Sequence, residues 1–139
     1  MFTTVVVGAD TSPTAVRAVD AAIELVTLAG GTLHVVSAYK PESRSTAGVP
    51  AEFRHAVQPD SRVRSVLDEL AARARARGVS VEVHDQRGDP AQAVQDVAER
   101  VSADLIVTGS QGMDRRVLSS IPNTIAHRAS CAVLIVKTD

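Results

Sequence analysis

The chain has 139 residues, 45% of them hydrophobic, with 15 Lys+Arg against 16 Asp+Glu and a formal net charge of −1. That length fits one domain with a single core and predicts one domain over residues 1–139; the balanced charge gives no field for steering toward DNA, RNA or anionic lipid, which argues against a nucleic-acid or membrane partner. Aromatics supply 2% of the chain and Cys131 is its single cysteine, so the core is aliphatic, no intrachain disulfide or thiolate cluster is possible, and a reducing cytoplasmic setting fits.

MFTTVVVGAD opens the chain without a basic segment, and its apolar run is too short for a signal core or a membrane span. Thr4 to Gly8 instead reads as a strand buried on both faces. Ser12 then stands as a helix N-cap with Pro13 at the first helical position, and Val16, Val19, Ile23 and Val26 recur on one helical face to about Leu28. Gly30 and Gly31 break that helix, and Leu33 to Ala38 forms a second β-branched strand.

From Lys40 to Asp60 the pattern dissolves into prolines, serines and arginines, a long surface excursion that could serve as a lid. Ser61 reads as the cap of a helix with Val63, Val66, Leu67, Leu70 and Ala74 on its apolar side, ended by Gly78. Arg73, Arg75 and Arg77, spaced by two, cannot share a helical face and read as solvated surface. Val79, Val81 and Val83 alternate with polar residues, the signature of an outer strand with one wetter face.

Asp89 caps the next helix ahead of Pro90, with Val94, Val97, Ala98 and Val101 as its apolar stripe. Leu105 to Val107 is another buried strand. It feeds a loop opened by Gly109 and Gly112, then a short helix entered through Ser119 and Ser120, then a last strand from Ala132 to Val136. Strands alternating with helices in this way imply right-handed crossovers, a mostly parallel sheet and helices on both faces: an α/β doubly wound domain.

In such a sheet, ligands sit outside the carboxyl ends of the strands where the strand order reverses. Two loops carry suitable chemistry there: Gly8-Ala9-Asp10-Thr11-Ser12 after the first strand and Gly109 to Ser120 after the fourth. Asp10 can accept from ribose hydroxyls, or can close an Asx turn at the first helix. The glycine loop and the helix entrance at Ser119 and Ser120 offer backbone N–H groups and a positive dipole end to phosphate. There is no G-x-G-x-x-G and no G-x4-G-K-[S/T]. His34, His55, His84 and His127 are scattered without ligand spacing, so no metal site is expected. No nucleophile has a base beside it in sequence, so no catalytic residues are expected. A response-regulator receiver shares the topology, and Asp10, Asp85 and Lys137 fall at its positions, but the adjacent acidic pair and the final helix are missing.

TVVVGADTSPTAVRAVDAA, HVVSAYKP, RGDPAQAV and the ending GSQGM…SSIPNTIAHRASCAVLIVKT together resemble the universal stress protein family over nearly the whole chain. The resemblance implies a five-stranded parallel sheet of order 3-2-1-4-5 and a nucleotide site for ATP, or for another adenine nucleotide such as AMP or cyclic AMP, with Mg²⁺ accompanying a triphosphate. It assigns Asp10 to the ribose, with Ala9 and Thr11 beside it. Val35 lines the adenine pocket and Gly88 lies near the base. Gly109, Gly112, Ser119, Ser120 and Ile121 belong to the phosphate loop and the helix it feeds. It further implies a stress-response sensor or regulator without significant catalysis, and a homodimer through Ala132 to Val136, a flat apolar strand that invites pairing if uncovered.

One departure stands out. Nucleotide-binding members carry G-x2-G-x9-G-[S/T], whereas here Ser119-Ser120 stand where the final pair belongs, with only MDRRVL between them and Gly112. A serine held at positive φ costs roughly 1–2 kcal/mol, and each lost hydrogen bond to a charged group about 1.5–3 kcal/mol. An interaction protein that has lost tight nucleotide binding is therefore the second reading; Arg115 and Arg116 could compensate by reaching the phosphates.

Overall fold

The computed structural model describes residues 2–10, 12–39, 59–110 and 121–138. Five parallel strands, β1 (Thr4–Gly8), β2 (Thr32–Tyr39), β3 (Ser80–Arg87), β4 (Leu105–Gly109) and β5 (Ala132–Val136), lie in the order β3-β2-β1-β4-β5. The helices between them are α1 (Ala15–Ala29), α2 (Pro59–Arg75), α3 (Pro90–Arg100) and α4 (Ile121–Arg128). Both the doubly wound class and the strand order expected from the sequence are met.

The aliphatic composition decides the core. Val5, Val7, Leu33, Val35, Leu105 and Val107 point to one face of the sheet, where they meet Val19, Ile23 and Val26 of α1 and Leu67 and Leu70 of α2. Val6, Val36 and Ile106 point to the other, against Val94 and Val97 of α3 and Ile125 of α4. Because side chains alternate along a strand, the buried runs VVV and LIV serve both faces at once. In register, Val7 pairs with Val35 on one side and Val107 on the other; β1 ends at Gly8, level with Val36, while β2 runs on to Tyr39 and so rises above the carboxyl end of β1.

The edge strands differ. β3 alternates, with Ser80, Glu82, Asp85 and Arg87 exposed, as its sequence predicts for an outer strand. β5 has Ala132 and Leu134 exposed and carries no charged residue.

Two local readings are corrected. Ser12 does not cap α1: its N–H and hydroxyl both donate to Asp10 Oδ1, the N–H at 2.8 Å, so Ser12 belongs to an Asx turn, and the helix starts after Thr14, whose side chain makes no cap bond. Nor does Ser61 cap α2, which already begins at Pro59, a residue whose fixed φ and missing N–H suit a first turn. Cys131 is half-buried, and burial is the first cause that pushes its thiol pKa up. Elsewhere the local signals act as read. Asp89 accepts from Gln92 N at 3.0 Å as the cap of α3. Gly30 and Gly78 take positive φ after α1 and α2, where a side chain would strain the turn. Of the three arginines, Arg73 does more than face solvent: it forks onto Asp20 of α1 at 2.6 and 2.9 Å, tying α2 to α1.

Candidate nucleotide site

Strand order reverses between β1 and β4: the chain leaves β1 toward β2 on one side and reaches β4 on the other. A cleft opens there, at the carboxyl ends, with about 670 Å³ of atom-free space including its mouth. Its floor is Gly8, Ala9, Thr108 and Gly109. Val36, Ser37 and Ala38 of β2 form one wall, and Ile121, Pro122 and Ile125 of α4 form another. Pro90 and Val94 of α3 and Ala15 and Ala18 of α1 close the sides.

Small residues make this opening possible. A side chain at Gly8 would come 2.9 Å from Val94 Cγ2, and one at Gly109 would come 2.8 Å from Thr138 Cγ2. Thr138, just beyond β5, is buried and lines the cleft. It is pinned by its own N–H donating to Ser110 Oγ at 3.0 Å and by Arg17, whose guanidinium donates to its carbonyl at 3.4 Å. Ala9 is fixed by its N–H donating to Val36 O at 2.8 Å, which ties the first-strand loop to the β2 wall.

Asp10 stands at the rim. Its two readings prove compatible: Oδ1 closes the Asx turn by accepting from Ser12, while Oδ2 takes no hydrogen bond among the described residues. Among the described lining residues Asp10 is also the one carboxylate, and none is a lysine or arginine. An anion bound here would therefore rely on backbone N–H groups such as that of Ile121, the first residue of α4, which faces the cleft beside Pro122, a residue with no N–H to give.

A sequence model of the universal stress protein family matches residues 1–137. The chain belongs to that family. It is 34% identical to Universal stress protein Rv1636 of Mycobacterium tuberculosis over 143 aligned residues, which cover 99% of this chain and 97% of that protein. Among solved structures, a universal stress protein in complex with cAMP is 32% identical, with a TM-score of 0.80 and 99% of each chain covered. A universal stress protein family member from Burkholderia pseudomallei is 28% identical, with a TM-score of 0.77 over 97% of this chain and 96% of that one.

Within this universal stress protein, the residues singled out from sequence divide into three groups. Ala9, Asp10, Gly109 and Ile121 come together around the cleft. Val35 and Gly88 do not line it. Val35 is fully buried on the α1 and α2 face, beneath the cleft, because strand alternation turns Val36 rather than Val35 to the α3 side. Gly88 has φ 122° and donates its N–H to Tyr39 O at 2.7 Å, where the chain turns from β3 toward α3. Thr11, Gly112, Arg115, Arg116, Ser119, Ser120 and the stretch from Lys40 to residue 58 lie outside the described residues. Thr138 and the wall residues Val36 and Ala38 were missed. The wall could have been found by extending the period-two pattern from Val6, which faces α3, across the sheet; nothing in the sequence marks Thr138. No described helix is long and apolar enough to cross a membrane.

Proposed function

We propose that this universal stress protein binds an adenine nucleotide in the β1–β4 cleft and works as a stress-response regulator that senses the nucleotide without turning it over. The observation that carries this is the placement of Asp10 and the start of α4 around one apolar cleft at the switch point, in a chain 32% identical to a family member in complex with cAMP. The apolar walls at Val36, Ala38 and Pro122 suit a base, Asp10 Oδ2 suits ribose hydroxyls, and the α4 entrance suits a phosphate.

Charge ranks the ligands. With one carboxylate and no cation among the described lining residues, a nucleotide carrying one or two negative charges is accommodated more easily than ATP. The shortened spacing between Gly112 and Ser119 argues the same way. ATP, with its Mg²⁺, stands second to cyclic AMP and AMP.

Calorimetric titration with cyclic AMP, AMP, ADP and Mg-ATP tests the reading. Saturable heat with at least one of them supports it; none at millimolar ligand overturns it. The same spacing favours the second reading, an interaction protein that has lost tight nucleotide binding, and that outcome would select it.

We further propose a homodimer formed through β5, whose exposed, uncharged edge invites strand pairing, and operation in the cytoplasm, consistent with a single cysteine. Light scattering at high protein concentration tests the dimer.

A further inference from the structure

A second cluster of donor atoms lies outside the cleft. His34 on β2 is paired in register with Glu82 on β3, and His84 follows two positions on, so alternation places all three on the face covered by α3. His34 Nδ1 is 3.0 Å from His84 Nε2 and 3.4 Å from a Glu82 carboxylate oxygen. One donor atom from each residue lies within 4.8 Å of the other two. The histidines are 50 positions apart in sequence, and only the pairing of β2 with β3 joins them.

With both imidazoles neutral and the side chains as placed, no choice of tautomers satisfies every contact of this cluster. The Arg100 guanidinium, 3.5 Å from His84 Nδ1, can only donate. His84 then carries its proton on Nε2, directed at His34 Nδ1, which must offer its lone pair while a carboxylate oxygen stands 3.4 Å from it. Reversing both tautomers puts a proton on His34 Nδ1, which suits Glu82, but sets His84 Nδ1–H against the guanidinium. Either arrangement leaves two like groups facing each other. A cation among the three donors removes the conflict, because both imidazole lone pairs and the carboxylate can then point to one place. Arg100 is exposed at the end of α3 and can turn to solvent.

We propose that His34, Glu82 and His84 form a binding site for a divalent transition-metal ion, with Zn²⁺ as the reference ion, bridging β2 and the edge strand β3. Two imidazoles and one carboxylate suit zinc, copper or nickel rather than the oxygen-seeking Mg²⁺ and Ca²⁺. In a tetrahedral zinc site with bonds of about 2.0–2.1 Å, donor atoms stand about 3.3 Å apart, which the two contacts of His34 already bracket. Only Glu82 has to close in, and its side chain is 67% exposed and able to move. Water completes the coordination. Burial lowers both imidazole pKa values below the ordinary histidine range, against the opposing pull of Glu82.

The test uses full-length protein carrying Cys131→Ser, so that the thiol does not compete, stripped of metal with a chelator. It is titrated with ZnCl2 by calorimetry and with CoCl2 by absorption spectroscopy. One ion per chain is expected, with a raised Tm and the intense visible bands of four-coordinate Co²⁺. His84→Gln, at a half-buried position on the edge strand, should lower zinc affinity at least tenfold and erase the cobalt bands, while circular dichroism confirms the fold. Glu82→Gln should weaken binding less, and Arg100→Gln should strengthen it by removing a nearby positive charge. Zinc affinity unchanged by His84→Gln, or no saturable binding in the parent protein, would overturn the site.

Discussion

The two ends of the sheet show what the same strands do when one end is sealed and the other left open. At the amino end, the Asp104 carboxylate, just ahead of β4, accepts from Thr3 N at 3.1 Å and Thr4 N at 3.2 Å, and Thr32 N donates to Thr3 O at 2.8 Å. The chain is so close there that a side chain at Gly31 would stand 2.0 Å from the Thr3 carbonyl oxygen. At the carboxyl end, Gly8, Ala9 and Gly109 keep the floor low, and the nearest groups to the two glycines are movable side chains, Val94 and Thr138. At the amino end strands and loops are stitched together through polar backbone, whereas at the carboxyl end small residues leave an open cleft. The amino end should therefore govern stability and the carboxyl end binding.

Substitutions can break that division or sharpen it. Gly31→Ala should be the most damaging, because the added carbon meets backbone rather than a flexible side chain: a loss of about 3 kcal/mol, read as a fall in Tm on the order of 10 °C. A Tm within a degree or two of the parent would show that the sealed end is looser than its hydrogen bonds suggest. Asp10→Ala should weaken whichever adenine nucleotide binds by more than tenfold while leaving Tm nearly unchanged. Equal affinity would mean that the ribose does not reach Asp10. Gly109→Ala should cost about 1 kcal/mol by pressing on Thr138 Cγ2, and adding Thr138→Ser, which removes that methyl, should recover most of it in a double-mutant cycle of denaturant midpoints.

The smallest effect concerns pH and belongs to neither end. His34 and His84 have pKa values lowered in the fold, by burial first, with the repulsion of His84 by His34 and Arg100 adding to it, against the opposing pull of Glu82 on both and Asp85 on His84. The unfolded chain then binds more protons than the folded one below the ordinary histidine pKa of about 6.5. Stability rises with pH through that window, is complete above it, and is lost as pH falls through the folded-state values. Metal-free protein should melt at lower temperature at pH 5 than at pH 7, and His84→Gln should flatten the slope.

Much of this was legible in the chain itself. VVVG, LHVVSA and LIV read as buried strands because β-branched runs suit a sheet covered on both faces, and Gly30, Gly78 and Asp89 act in the structure as their chemistry predicts. Competition between neighbours was not legible. Ser12 could cap a helix or join Asp10 in a turn, and sequence does not say which geometry the backbone adopts. Val35 and Val36 are chemically alike, and a shift of one residue decides which faces the cleft. His34 and His84 meet only through the register of β2 with β3, which sequence spacing does not encode, although alternation and the order of the strands together would have paired them.

The unequal edges of the sheet bear on how large an assembly this chain can form. Glu82, Asp85 and Arg87 line one outer strand with exposed charge, while the other, Ala132–Val136, exposes only aliphatic groups. A chain with two adhesive edges could add copies without limit and grow into a fibre, whereas the proposed contact would use one edge alone. In the proposed dimer, two molecules that met at β5 would bury the surface that joined them and present their charged β3 strands to a third, so a self-complementary contact there would close at two.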